Sequence, residues 1–153
     1  MICSQRQKVV SITPPQAIVD NASWTTAEID TFGFDYCTIY VYLGAMDIAM
    51  TALKVTESDT SGSGHADVTG LVFGTSTNTA GSASTLPSAT DDNKFFAFEV
   101  DLRGRKRYLD LTATGGDGAA GTYLTAWAVL ERAEINPDSA TERGCSQILR
   151  VPV

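Results

Sequence analysis

Alternating apolar and polar residues recur along the chain and predict β-strands. In YCTIYVYLG, residues 36–44, every second residue is apolar and the intervening ones are mostly tyrosine or threonine. FFAFEVDL at 95–102 and YLDLTAT at 108–114 alternate in the same way, whereas YLTAWAVLERA at 123–133 is a longer apolar run. Because successive side chains of a strand point to opposite faces, a period of two predicts strands with one buried face. The run at 123–133 predicts a strand that could be buried on both faces.

Weaker alternation predicts further strands at 9–13, 23–27, 48–58 and 71–74. Glycine, proline, aspartate and asparagine separate these segments, as they do in sandwiches, jelly rolls and barrels. The predicted fold class is therefore all-β: a single β-sandwich or jelly-roll-like domain with extended terminal arms.

Turn-forming residues predict the connections between the strands. GGDGAAG at 115–121 lacks the ending of a phosphate loop and leads into a strand, so it predicts a hairpin connection. Two segments rich in glycine, serine and threonine, 58–70 and 74–93, predict long loops. After Pro137 the sequence predicts a short capped segment that begins at Asp138 or Ser139 and ends at Gly144.

The two ends of the chain differ from its middle and predict arms. The predicted boundaries are an N-terminal arm at 1–8, the sandwich domain at 9–133 and a C-terminal arm at 134–153. The last six residues, ILRVPV, are apolar and β-prone. Because such a sequence promotes aggregation when it is left free, we expect this arm to lie on a neighbouring subunit.

The charged residues are unevenly distributed, which bears on the possible partners. The formal net charge is −7, whereas nucleic-acid binding needs an excess of lysine and arginine. Residues 9–93 hold a single base, Lys54, but the first eight residues carry Arg6 and Lys8 without an acid. The sequence therefore predicts no direct nucleic-acid binding. No segment approaches the roughly 18 apolar residues of a membrane span, which predicts no membrane association.

The segment RGRKR places Arg103, Arg105, Lys106 and Arg107 within five residues. In a strand or a tight turn the three arginines project together and Lys106 points elsewhere. They could form a surface network with the nearby carboxylates of Asp101, Asp110 and Glu99. They could also bind nucleic acid, or they could dock on an acidic protein surface or between like subunits.

Candidate catalytic and metal-binding residues are few, so we expect neither an enzyme nor a cofactor. The only histidine, His65, lies in a predicted loop without a marked nucleophile or orienting partner. Asp91, Asp92 and Asn93, with Asp59 or Asp67, could supply oxygen ligands to calcium, but a turn is favoured. The three cysteines are widely spaced and predict neither disulfides nor a zinc site. Cys37 is predicted to be a core thiol, and Cys3 and Cys145 are predicted to be exposed free thiols.

Several aromatic residues keep a carbohydrate-binding module open as an alternative function. Tyr36, Tyr40, Tyr42, Trp24 and Trp127 could form a platform on which sugar rings stack. Aromatic side chains at strand spacing also pack at core edges and at subunit interfaces. Exposure of Trp24 or Trp127 would favour the sugar platform.

Residues 11–59, SITPPQAIVDNASWTTAEIDTFGFDYCTIYVYLGAMDIAMTALKVTESD, and residues 87–118, PSATDDNKFFAFEVDLRGRKRYLDLTATGGDG, carry a family resemblance. They resemble the capsid decoration, or cement, proteins of tailed bacteriophages. The resemblance covers about residues 9–133, and its most specific parts are 32–38 and 100–111.

The resemblance implies a β-sandwich or jelly-roll protein on the outer capsid surface of a virion that is assembled in the host cytoplasm. It implies a homotrimer that locks neighbouring copies of the major capsid protein together, with a receptor-binding head fibre as a further alternative. Under this hypothesis the basic residues contact the capsid or sister subunits. These residues are Arg103, Arg105, Lys106, Arg107, Arg6, Lys8 and Arg150.

Overall fold

The strands form where apolar and polar residues alternate. The computed structural model describes residues 6–137 and 139–149, and within them it contains eight β-strands and no α-helix. The strands are β1 (Lys8–Thr13), β2 (Ile29–Asp30), β3 (Tyr36–Met46), β4 (Ala52–Ser58), β5 (Ala66–Val72), β6 (Phe95–Asp101), β7 (Tyr108–Thr114) and β8 (Thr122–Glu131).

Two four-stranded antiparallel sheets form a β-sandwich, which confirms the predicted all-β sandwich. Sheet A has the order β1-β8-β3-β6, and sheet B has the order β2-β7-β4-β5. The pairing is nested, because β1 pairs with β8, β2 with β7, β3 with β6, and β4 with β5. Only β4 and β5 are both consecutive and paired, so every other connection crosses from one sheet to the other.

The core lies between the sheets and is built from the alternate apolar residues of each strand. In β3 the side chains of Cys37, Ile39, Val41 and Leu43 are all buried. β7 coincides with the predicted strand at 108–114 and buries every second residue in the same way. In β8 buried residues alternate with half-buried ones over most of its length, so this strand is fully buried on one face and not on both, as its apolar run had allowed. Its outward side chains face the exterior of sheet A.

Two predicted connections and one predicted strand differ from the structure. GGDGAAG does not form a hairpin, because it carries the chain from β7 in sheet B to β8 in sheet A. The predicted loop at 58–70 includes the first residues of β5, an edge strand whose side chains are mostly exposed and therefore lack a clear apolar alternation. The segment predicted as a strand at 23–27 forms only an isolated bridge from Ser23 to Thr114, and the strand of this region is β2.

A turn near the C-terminus covers the free edge of β1. Ser139 and Glu142 exchange side-chain-to-amide hydrogen bonds of 3.0 and 3.1 Å, and Gly144 ends the turn with a φ of 75°. This agrees with the predicted beginning at Ser139 and end at Gly144, and Asp138 lies outside the described residues. The Val9 amide donates to the Arg143 carbonyl at 3.0 Å. The described part of the C-terminal arm therefore folds back on sheet A.

Two of the three cysteines, Cys37 and Cys145, lie within the described residues. Cys37 is buried as predicted, and this burial raises the pKa of its thiol to about 12. Cys145 is a free thiol, but it is half-buried where exposure was predicted. Cys3 lies outside the described residues.

Candidate functional site

The basic residues predicted as contacts come together at one end of the sandwich. At this end β1 and β7 begin and β6 and β8 end, because neighbouring strands are antiparallel. Residues 102–107 connect β6 to β7 and so cross from sheet A to sheet B at this end. We call this surface the base-rich end. Its basic residues are Arg6, Lys8, Arg103, Arg105, Lys106, Arg107 and Arg132.

A tight turn positions the arginines of the connecting loop. The Arg105 amide donates to the Leu102 carbonyl at 3.0 Å, and Gly104 at the third position has a φ of 81°. A positive φ at this position is what a type II turn requires, and glycine adopts it without steric cost. The turn directs the arginines on either side of Gly104 to different carboxylates, so they do not form one continuous row.

Each of the three arginines pairs with a carboxylate of the same chain. Arg107 forms a bidentate pair with Asp30, with nitrogen–oxygen distances of 2.8 and 2.7 Å. Arg103 pairs with Asp101 through two nitrogens. Arg105 lies 3.6 Å from Glu57, which also accepts the Lys106 amide. The carboxylate network was one of the open alternatives, and Asp101 was among its predicted partners. Asp110 instead accepts the Thr26 hydroxyl.

These pairs hold the carboxylates in their charged form. The hydrogen bond from Arg107 is the largest cause that lowers the pKa of Asp30, and the Phe32 amide and the charges of Arg107 and Lys8 act in the same direction. Hydrogen bonds from Arg103 lower the pKa of Asp101 to about 2. The pKa values of Arg103 and Arg107 are raised in return, chiefly by hydrogen bonds to these carboxylates. The arginines thus remain cationic but are already partly neutralised.

The contribution of Asp101 to stability is expected to disappear in acid. Because its folded pKa is below the ordinary value of roughly 3.9, the pair stabilises the fold above that value. The stabilisation is lost as the pH falls from about 4 to about 2. Thermal unfolding of wild type and Asp101→Asn should therefore differ slightly near neutral pH and converge in acid. The exposed Asp117→Asn serves as the control, and an Asp101→Asn difference that stays constant with pH would contradict the assignment.

Aromatic and aliphatic side chains are exposed between the cations. The Arg107 guanidinium lies 4.9 Å from the ring centre of Phe32 and 5.0 Å from that of Tyr108. Arg103 and Arg132 both lie over Tyr36, at 5.5 and 5.6 Å. Phe32 is 73% exposed, and Ile135 is 87% exposed. The Glu134 amide donates to the Gly33 carbonyl at 2.9 Å, which places Ile135 near the turn that carries Phe32.

Six of the seven predicted contact residues therefore lie at the base-rich end. Arg6 donates to the Ala133 carbonyl at 3.0 Å, and Lys8 begins β1 opposite Leu130. Arg150 lies outside the described residues. Phe32 and Ile135 were not predicted, because neither belongs to an alternating segment. The charge of the neighbouring RGRKR loop gives no signal for them.

The other candidate sites have structural roles. His65 Nε2 lies 3.1 Å from Glu28, which also accepts hydrogen bonds from Ser61 and Gly62 and so holds this loop. Asp91 accepts hydrogen bonds from Ser88 and Lys94 within a turn, and Asp92 accepts the Met46 amide. Asp67 pairs with Lys54. Within residues 6–137 and 139–149, no group of three or more His, Cys, Asp or Glu side chains is placed to hold a metal ion.

A second exposed surface lies on the outer side of sheet A. We call it the aromatic face, and it consists of Tyr40, Tyr42, Phe95, Tyr123 and Trp127, of which Tyr42 and Trp127 are half-buried and the other three are exposed. Three of these residues belong to the predicted platform. Trp24 does not, because its side chain is 5% exposed and belongs to the core. Tyr36 does not, because it lies at the base-rich end.

The protein is thus an all-β sandwich with two candidate binding surfaces, the base-rich end and the aromatic face. Comparisons with protein-family models, with curated proteins and with solved structures gave no match for this chain. The part of the chain that the structure describes contains no helix long and apolar enough to cross a membrane.

Proposed function

We propose that this protein is a structural virion protein that decorates the outer capsid surface and stabilises the shell by binding the major capsid protein as a homotrimer. The observation that carries the proposal is the base-rich end. It combines arginines with two highly exposed apolar side chains, Phe32 and Ile135. Arginine and aromatic residues are enriched where proteins bind one another, and they supply many of the residues that dominate binding energy.

The charges of the two ends support an oriented attachment. The opposite end carries five aspartates, which are Asp20, Asp47, Asp91, Asp92 and Asp117, with Lys94 as the base beside them. An acidic capsid surface would therefore attract the base-rich end and repel the opposite end. Nucleic acid is the weaker alternative, because the chain carries a formal net charge of −7 and nucleic-acid binding needs an excess of lysine and arginine.

The positions of the two arms also support this orientation. The Ala133 amide lies 3.4 Å from the Arg6 carbonyl, so the chain enters and leaves the sandwich at the base-rich end. We interpret the nested pairing of the strands as a jelly-roll arrangement. In such a domain a rigid sandwich presents the loops at this end to one partner. Repetition of these contacts by symmetry would stabilise the shell even where each contact is weak.

Replacing Arg103, Arg105 and Arg107 together with serine is expected to lower capsid occupancy and to reduce its dependence on salt. Phe32→Ala should also weaken binding by about tenfold or more, because truncating an aromatic hot-spot side chain costs roughly 2 kcal/mol or more, and about 1.4 kcal/mol is a factor of ten. Both variants should stay folded, since exposed ion pairs contribute little to stability and Phe32 is 73% exposed. The measurement is co-sedimentation with shells of the encoding virus that lack this protein, over a series of salt concentrations.

Two controls make this experiment specific. Lys54→Ser with Lys94→Ser removes bases away from the base-rich end and should leave occupancy unchanged. Sedimentation of the free protein tests the trimer separately. If the arginine variant occupies shells as wild type does at every salt concentration, the base-rich end is not the capsid contact. If the wild-type protein does not co-sediment with the shells, the proposed decoration function is wrong.

A further inference from the structure

A groove opens between the edge strands of the two sheets, on a different surface from the base-rich end. It has a volume of about 510 Å³ and lies between β5 of sheet B and β6 of sheet A. Residues 76–79 and Ser84 form its third side. This volume falls within the range of roughly 300–1,000 Å³ of small-molecule sites. The aromatic face adjoins the groove, because Phe95 belongs to both.

One wall of the groove is the free edge of β6. The Leu43 amide bonds to the Lys94 carbonyl and the Leu102 amide bonds to the Asp35 carbonyl, which fixes the residues of β6 that bond to β3. Because hydrogen-bonded and non-bonded pairs alternate along an antiparallel ladder, the backbone groups of Phe95, Ala97 and Glu99 point away from β3. Among the described residues no strand pairs with this edge of β6. These groups are therefore available to a ligand in the groove.

The third side of the groove is a short ordered loop that carries hydroxyl and amide groups. The Asn78 amide donates to the Ser82 carbonyl at 2.8 Å, and the Ser84 amide donates to the Ser76 carbonyl at 2.8 Å. The Asn78 side-chain oxygen accepts the Ala80 and Ser82 amides, so its NH₂ group remains for a ligand. Thr77 and Thr79 also line this side of the groove.

The rings beside the groove form a connected cluster. The Phe95 ring centre lies 4.5 Å from that of Tyr42 and 6.0 Å from that of Trp127. Trp127 stacks on Tyr40 with a ring-centre distance of 5.8 Å and an interplanar angle of 28°. Phe95 is 60% exposed. The cluster thus offers an aromatic surface at the rim of a groove that contains polar groups.

We propose that this groove and the adjoining rings bind a neutral oligosaccharide. Aromatic rings can cover the apolar C–H faces of sugar rings, while Thr77, Thr79, Asn78 and Glu99 can hydrogen-bond to sugar hydroxyls. Glu99 is the one charged side chain among the residues that line the groove, and no base is among them. Phosphate, sulfate and uronate groups would therefore meet a carboxylate without a compensating cation.

An added peptide strand is the other occupant that the free edge of β6 could take. Such a strand would use the backbone of β6, but it would leave the hydroxyls of Thr77 and Thr79 and the rings of the aromatic face without a role. A glycan uses all three features. The proposal goes beyond capsid decoration and does not depend on it.

The test titrates the full chain with cellohexaose, mannohexaose and xylohexaose and measures tryptophan emission together with heat of binding. We expect at least one sugar to bind and to change the emission of Trp127, whereas Trp24 is buried and should stay constant. Phe95→Ala should weaken binding by about tenfold or more, as truncation of a central contact residue does. Glu99→Gln should weaken it less, because the amide keeps the shape and one acceptor.

Phe32→Ala is the matched control, because it removes a similarly exposed phenylalanine from the base-rich end. Phe32→Ala should lower capsid occupancy and leave sugar binding unchanged. Phe95→Ala should weaken sugar binding and leave capsid occupancy unchanged. Failure of one proposal is therefore distinguishable from failure of the other. The glycan proposal is overturned if none of the three sugars binds at millimolar concentration, or if Phe95→Ala binds them as wild type does. It is also overturned if an extended apolar peptide binds along β6 and none of the three sugars binds.

Discussion

Replacing Ile39 with alanine is expected to destabilise the sandwich by about 2–5 kcal/mol, the range for truncating a buried isoleucine. Ile39 lies in the interior strand β3, between Phe98 of β6 and Ala128 of β8, and it has no exposed surface. The substitution removes apolar contacts from the core and leaves a cavity that rigid neighbouring strands can fill only in part. Because small domains are stable by roughly 5–15 kcal/mol, this loss is a large fraction of the total.

The measurement is the free energy of unfolding in urea, and the chain offers a matched control. Ile135→Ala is the same chemical change at a residue that is 87% exposed. It should change stability by no more than about 0.5 kcal/mol, as exposed substitutions usually do. Equal losses in the two variants would mean that Ile39 does not lie in a close-packed core, and the arrangement of sheet A would then be wrong.

Alternation predicted the strands well because the buried face of a strand is a local property of the sequence. β7 has the predicted bounds, and β3, β6 and β8 lie within two residues of theirs at each end. β5 was partly missed because an edge strand with few buried side chains needs no alternation. Its residues are typical of loops, and only pairing with β4 makes them a strand.

The pairing of the strands could not be predicted, because the sequence of a turn does not determine which sheet the next strand joins. GGDGAAG has the composition of a hairpin, yet the chain crosses to the other sheet there. Nested pairing joins β1 to β8 across almost the whole chain. Such contacts depend on the packing of two complete sheets, so no local pattern encodes them.

The same limit applies to the candidate surfaces. The proximity of Arg103 and Asp101 follows from their adjacency in the chain, whereas Asp30 is 77 residues from its partner Arg107. Tyr40, Tyr42 and Trp127 were grouped by residue type, but the register that adds Phe95 was unknown. Trp24 was misplaced because its segment packs its indole into the core. Sequence identified the kinds of residue involved, and the tertiary arrangement decided which of them meet.

Replacing Gly144 with alanine is expected to release the C-terminal turn from β1. Gly144 has a φ of 75°, and a methyl group on its Cα would lie 1.8 Å from the Val9 carbonyl oxygen. The left-handed backbone alone costs an alanine about 1–2 kcal/mol. The clash adds to this cost, because neither backbone can move away while the Val9 amide bonds to the Arg143 carbonyl. The variant cannot lose more stability than the free energy with which the turn docks on β1, because undocking of the turn relieves the strain.

Amide hydrogen exchange at Val9 distinguishes undocking from general destabilisation. In Gly144→Ala the Val9 amide should lose protection, while amides in the centre of β3 keep most of theirs. Gly104→Ala is the matched control, because Gly104 has a φ of 81° but no atom within 4 Å of the added methyl group. Gly104→Ala should lose about 1–2 kcal/mol of stability, which is the cost of the left-handed backbone alone, and the Val9 amide should stay protected. If Val9 stays protected in Gly144→Ala, the turn does not cover the edge of β1, and that edge is open to pairing with another chain.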